Sequence, residues 1–231
     1  MTELASGFVE AIQLLLHRDP EVEGVVVRTL LVSGVATLLA MAIGVPLGFV
    51  LARKRFPGRT VVLGIVNTGM GMPPVVAGLF VWLLLVRNGP LGSMELIYTT
   101  RAMVIAQLFI ATPMVMGFTV ASIQALPPGL PDLLRSLGAS RARTLWLLAR
   151  EARLGLLAAV MAGFGAVISE VGASMMVGGN LRGQTRILTT AIVTETSRGQ
   201  TERAIALGLI LLAIAFVVNL FLTRSQQARA T

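Results

Sequence analysis

Leu126-Pro-Pro-Gly-Leu-Pro-Asp-Leu-Leu-Arg-Ser-Leu-Gly-Ala-Ser-Arg-Ala-Arg-Thr-Leu-Trp146 is a polar island between two apolar stretches, with Arg150, Glu151 and Arg153 just beyond it. Pro131 suits the first position of a helix, where its missing N–H would be unbonded anyway, and Gly138 suits the residue just past the end. Leu130, Leu133, Leu134 and Leu137 then share one stripe, with Asp132, Arg135 and Ser136 largely off it. An amphipathic helix of two turns is not stable alone, so it must be held by the chain's own spans or in a groove of a partner. Ser140 can cap a second helix that starts near Arg141 and runs through Trp146 into the membrane. A rigid continuation of that kind would turn a push on the island into tilt of a span. The plainer alternative is an ordinary loop whose arginines only fix topology.

The surroundings of the island are those of a membrane protein. Of the 231 residues, 55% are hydrophobic and only 13% charged, where soluble domains carry roughly a quarter charged residues. The mean hydropathy is +0.82. Thr29–Ala52, Val61–Val86, Ala102–Leu126 and Ala204–Thr223 are free of charge and near the length of about 20 residues that a bilayer core demands. A further span runs from Trp146 through Leu154–Ser169, with Arg150 and Arg153 snorkelling to the interface. Glu170 interrupts it before the apolar character resumes to Val177. The expected fold is all-α, with about five transmembrane helices.

Residues 1–23 read as an amphipathic segment lying on the membrane, since Ala5, Phe8, Val9, Ile12, Leu15 and Leu16 recur at helical spacing. Five acids, no basic start and no small-residue cleavage site argue against a cleaved signal there. The transmembrane domain is expected over residues 24–222, with the island as a cytoplasmic loop over 127–145 and a tail over 223–231. Placing the island in the cytoplasm puts 11 of the 19 Lys and Arg residues on that side, as the positive-inside rule prefers. The N-terminus is then outside and the C-terminus in the cytoplasm of a cell (inner) membrane.

Much chemistry is missing. The chain has no cysteine, one histidine and one lysine. Thiolate nucleophiles and zinc thiolate sites are therefore out of reach. His17 sits beside Arg18 and Asp19 as a plain surface residue, and Lys54 follows Arg53 rather than a glycine, so no phosphate loop can be written. We expect no catalytic residue and no metal site. If ATP drives this protein, another polypeptide binds it. Glu170 is the one carboxylate within the spans. It either pairs with Arg182 and Arg186 or reaches water, or else it stands in a pathway. Gly44 and Gly48 form a pair of small residues that lets helices approach closely, and Pro73 and Pro74 kink the second span.

Several stretches together carry a resemblance. Asp132-Leu-Leu-Arg-Ser-Leu-Gly138-Ala-Ser resembles the Glu-Ala-Ala-three residues-Gly loop of binding-protein-dependent ABC transporter permeases, with Asp132 for the glutamate and Leu133 and Leu134 for the alanines. Glu151 stands where many such permeases have a proline. Ser169-Glu-Val-Gly-Ala-Ser-Met-Met-Val-Gly-Gly-Asn-Leu-Arg-Gly-Gln-Thr-Arg186, followed by Ile187 to Val193, is similar to permeases of the molybdate, sulfate and tungstate type, nearest the tungstate branch. Arg28 to Ser33, Gly44 to Gly48 and Met72 to Gly78 read the same way, so the likeness runs from about Gly24 to Leu222.

That resemblance implies a type I ABC importer permease fold, working as a homodimer in lipid with two cytoplasmic ATPase subunits that hold ATP and Mg. It also implies an extracytoplasmic binding protein that delivers an oxyanion, tungstate in the first place and molybdate or sulfate otherwise. No cofactor is expected on this chain and no nucleic acid among its partners. Coupling to the ATPase falls by position on Asp132, Leu133, Leu134, Arg135, Gly138, Ala139, Ser140 and Arg141. The pathway or outer mouth falls on Glu170, Gly178, Gly179, Asn180, Arg182, Thr185 and Arg186. The rival classes are an ion-coupled secondary transporter or channel without an ATPase and a membrane-embedded enzyme. The first lacks a chain of carboxylates and the second any cluster of catalytic residue types.

Overall fold

In lipid a backbone N–H or C=O finds no water, so a spanning segment must bond its own backbone. A computed structural model describes residues 3–16 and 19–227, and every regular element among them is helical. His17, and with it the surface role expected of that residue, lies outside the described residues.

Helix α1 (Glu3–Leu16) precedes α2 (Pro20–Arg53), which is 34 residues long. Asp19 caps α2 by accepting from Glu21 N at 2.8 Å and Val22 N at 3.3 Å, and Pro20 occupies its first turn. Glu21 and Glu23 therefore lie in the first turn of α2. Helix α1 is too short to span. It rests on the final helix, where a Cβ on Gly7 would come within 2.7 Å of Ile205 Cβ.

The second span is broken rather than kinked. Helices α3 (Arg59–Met70) and α4 (Pro74–Leu85) diverge by 107°. Pro73 and Pro74 remove two N–H donors in succession and bar helical geometry to the residue before each. Helix α5 (Thr100–Gln124) crosses uninterrupted, capped by Thr99, whose hydroxyl accepts from Ala102 N at 3.2 Å. After it come α6 (Leu130–Ser136), α7 (Arg141–Glu151) and α8 (Arg153–Ile168). The rigid run from the Ser140 cap into the membrane does not form, because α7 and α8 meet at 68° around Ala152. Then follow α9 (Gly172–Gly178), α10 (Leu188–Ser197) and α11 (Thr201–Gln227). Among the described residues three helices are long and apolar enough to cross, and five spans result when each bent pair is one.

Small residues set the packing. A Cβ on Gly48 would lie 2.8 Å from Met116 O and 2.8 Å from Thr119 Cβ, and one on Gly44 3.1 Å from Val115 Cβ. Helices α2 and α5 thus touch backbone to backbone, as the spacing of the two glycines predicts. The same device seats α4 on α9, where a Cβ on Gly78 would fall 2.6 Å from Ala173 Cα. Val32, Ala40, Ala106, Ala111 and Ala159 complete the core around these contacts. Large apolar side chains such as Leu38, Leu212, Phe216 and Phe221 point outward, where lipid is their solvent.

Gly48→Val forces a branched side chain against a backbone oxygen that cannot rotate away. It should cost about 1–3 kcal/mol and lower Tm by several degrees in detergent. Gly34→Val is the control, since nothing lies within 4 Å of its Cβ position, and should leave Tm unchanged or slightly raised.

Candidate functional site

The candidate residues gather at two opposite ends of the bundle. At the first, α6 stands out as a helix with no buried residue. Leu133 is 56% and Leu137 76% exposed. Its end is closed by a left-handed Gly138 (φ +84°), with Gly138 N donating to Arg135 O at 2.9 Å and Ala139 N to Leu134 O at 3.0 Å. A side chain at Gly138 would strain that turn. Asp132 and Arg135 lie 3.8 Å apart and are both well exposed, so their attraction contributes little. Seven residues with an exposed leucine face and a weak internal pair do not hold themselves together in water.

Ser140 and Arg141 belong to the start of α7. Ser140 Oγ accepts from Arg143 N at 3.3 Å, and Thr144 Oγ1 donates to Ser140 O at 3.0 Å. Further along, the guanidiniums of Arg143 and Arg150 stand 5.1 and 5.4 Å from the centre of the exposed Trp146 ring, an arrangement suited to a membrane interface. The structure therefore brings Asp132, Leu133, Leu134, Arg135, Gly138, Ala139, Ser140 and Arg141 into one continuous helix–turn–helix edge.

At the other end, Glu170 is buried and meets neither Arg182 nor Arg186. Its oxygens accept from Ala173 N at 2.6 Å and from Ser174 N and Oγ at 3.0 and 2.8 Å, so it caps α9. A carboxylate suits the positive end of a helix. Its own carbonyl accepts from Thr189 Oγ1 at 2.8 Å, which ties α9 to α10.

The segment between α9 and α10 is clamped rather than free. Thr185 Oγ1 donates to Gly178 O at 2.5 Å and accepts from Leu181 N at 2.9 Å. Gly179 and Asn180 are left-handed, at φ +67° and +50°. A Cβ on Gly179 would lie 2.8 Å from Tyr98 Cδ1. Asn180 Nδ2 donates to Thr194 Oγ1 at 2.6 Å.

The arginines of that segment find partners from elsewhere. Arg182 Nε donates to Glu21 Oε1 at 2.8 Å, and Arg186 lies 3.5 Å from Glu21 and 3.8 Å from Glu195. Arg203 adds a contact to Glu21 at 3.4 Å and Arg198 one to Glu195 at 3.6 Å. The hydrogen bond from Arg182 to Glu21, and then the Glu21 charge, raise the Arg182 guanidinium above its ordinary range. Arg28 completes the clamp, donating to Arg186 O at 3.0 Å and Gly183 O at 3.1 Å.

Glu21, Arg28, Glu195, Arg198 and Arg203 escaped the sequence reading as site residues. Their one sequence signal was that 8 of the 19 Lys and Arg residues fall outside the group placed with the island, which says nothing of how they pair. Among the described residues no three His, Cys, Asp or Glu side chains stand together as metal ligands.

Residues 44–230 match the family model described as binding-protein-dependent transport system inner membrane component. The chain is 38% identical over 219 residues to the tungstate uptake system permease protein TupB of Peptoclostridium acidaminophilum, covering 95% of this chain and 96% of that one. It is 41% identical over 196 residues to a probable anion ABC transporter permease protein of Haloferax volcanii, covering 83% and 84%. The fold superposes on a chain of a bacterial alginate ABC transporter, solved with its alginate pentasaccharide-bound periplasmic protein, with a TM-score of 0.77 at 17% identity over 97% of this chain and 86% of that one.

Arg186 and Glu195 are both buried, so removing Arg186 leaves Glu195 only the half-exposed Arg198 as a partner. Arg186→Met should destabilise the protein by about 3 kcal/mol, the low end for a broken buried pair, because 3.8 Å is long and Arg198 stays beside Glu195. Arg182→Gln should change stability little, since that side chain is 71% exposed. Denaturation of both variants in detergent makes the comparison.

Proposed function

The chain belongs to the family of binding-protein-dependent transport system inner membrane components, and from that premise we propose that it is the membrane-spanning permease subunit of an ATP-driven oxyanion importer whose substrate is tungstate. The observation that carries this reading is α6: a helix with no buried residue, with Leu133 exposed on it and Leu137 exposed at its C-terminal cap. Such a surface is explained by a soluble partner. The partner is an ATPase subunit, which holds the ATP and Mg that this chain has no phosphate loop to bind.

The distribution of Lys and Arg supports a cytoplasmic α6 end, an outer N-terminus and a cytoplasmic C-terminus. The Glu21–Arg182–Arg186 end then faces a binding protein outside. Two copies of the chain form the pathway between them, each with its own ATPase. When ATP draws the ATPases together, α6 moves with them and pushes on α7. Because α7 meets α8 at 68°, α7 works as a lever across the interface rather than as an extension of the span. Tungstate as substrate rests on identity along nearly the full length of a tungstate permease. A dianion crossing a route with few fixed charges is passed along by hydroxyls and backbone amides, which hold it less firmly than paired arginines would.

Leu133→Asp combined with Leu137→Asp removes the apolar face of α6 without touching a buried residue. The double variant should keep its Tm, lose co-purification with the ATPase and lose ATP-dependent tungstate uptake in proteoliposomes. Retained ATPase binding and transport would contradict the proposal, as would uptake driven by an ion gradient with no ATPase present. Calorimetry on the cognate binding protein should give tungstate the lowest Kd among tungstate, molybdate and sulfate. A preference for sulfate would overturn the substrate assignment alone.

A further inference from the structure

A groove of about 710 Å³ runs between the last turns of α2 and helices α6 and α7. Its walls are apolar, built from Pro46, Phe49 and Val50 on one side and Leu145, Leu148 and Ala149 on the other. Its rim is cationic: Arg53 and Lys54 close α2, and Arg135 and Arg141 face them from α6 and α7. No carboxylate lines it, and the acid nearest in sequence to the rim, Asp132, is exposed and 3.8 Å from Arg135. Arg53 is half-buried at that rim, and Lys54, Arg135 and Arg141 are exposed there. Four cations that converge with no carboxylate among the described lining residues repel one another, so the rim favours an anion.

We infer that this groove binds one anionic phospholipid, with its phosphate among Arg53, Lys54, Arg135 and Arg141 and an acyl chain laid along Phe49 and Pro46. Depth decides between lipid and protein. Pro46 precedes Arg53 by seven residues, roughly 10 Å along a helix axis, and α2 crosses the membrane. The apolar walls therefore descend to acyl-chain level, where a soluble polypeptide cannot follow. Charge decides between headgroups, because clustered Lys and Arg at the end of a membrane helix attract anionic lipid and gain nothing from a zwitterion. Size agrees with a headgroup and part of one acyl chain, the rest of the lipid staying in the bilayer, since pockets of about 300–1,000 Å³ take small ligands rather than folded partners. The exposed Trp146 with Arg143 and Arg150 marks the adjoining level as interfacial. A lipid seated there braces α7 against α2. The inference goes beyond the transport reading and needs only that α2 spans a membrane, so an empty groove would leave that reading intact.

Native mass spectrometry of the full-length protein, titrated separately with dioleoyl phosphatidylglycerol, dioleoyl phosphatidylcholine and inorganic phosphate, tests it. Phosphatidylglycerol should be retained about tenfold better than phosphatidylcholine, and inorganic phosphate should not be retained. Arg53→Gln with Lys54→Gln should weaken phosphatidylglycerol about tenfold and leave phosphatidylcholine unchanged. The charge-matched pair Arg87→Gln with Arg101→Gln, in and beside other helices, should keep the preference. Ala149→Trp, which fills the groove, should reduce retention of both lipids. A photoreactive benzoylphenylalanine at Phe49 should trap phospholipid in native membranes. Equal retention of the two lipids, equal loss in both charge-matched pairs, retention of phosphate alone, or a polypeptide trapped at Phe49 would each overturn the inference.

Discussion

The close contact of α2 with α5 is the constraint on which the rest of the structure depends. Lipid tails are as apolar as leucine, so helices in a membrane gain little from hiding apolar surface and must gain from close packing instead. Gly44 and Gly48 let α2 approach Val115, Met116 and Thr119 of α5 to van der Waals distance along the backbone. Helix α8 joins through Gly163, whose Cβ position lies 2.8 Å from Val115 Cγ2. With that seam fixed, both ends of the bundle become rigid frames. One frame carries α6 and the other the clamp around Glu21.

The two ends answer different physical demands. The α6 end leaves leucine side chains exposed on a helix too short to be stable alone. The opposite end does the reverse: it gathers Glu21, Glu195 and five arginines, and the contacts of Glu21 and Arg28 join residues more than 150 apart in the chain. Of these contacts the Arg186–Glu195 pair is the one with both side chains buried, and a pair of that kind adds little net stability although breaking it is costly. Glu170 belongs to the same logic. Satisfied by Ala173 and Ser174, it sets the start of α9.

Features governed by local rules were legible in the sequence. Charge-free stretches marked the spans, Gly138 marked the end of α6, Ser140 the cap of α7, and the Gly44–Gly48 spacing the helix contact. Features governed by geometry between distant residues were not. Pro73 and Pro74 signalled a kink, but the 107° turn depends on how α3 and α4 pack on α5 and α9. The 68° bend at Ala152 has no proline or glycine to announce it. Arg182 and Arg186 lay close to Glu170 in sequence, yet their partner Glu21 is more than 160 residues away, and no pattern within a single chain connects them.

The central claim is that α6 faces the cytoplasm as a docking surface. The chain has no cysteine, so Leu137→Cys gives a single, unambiguous label site. Treatment with a membrane-impermeant maleimide should leave it unlabelled in intact cells and label it fully in inverted vesicles stripped of ATPase. Labelling from outside intact cells would contradict the account.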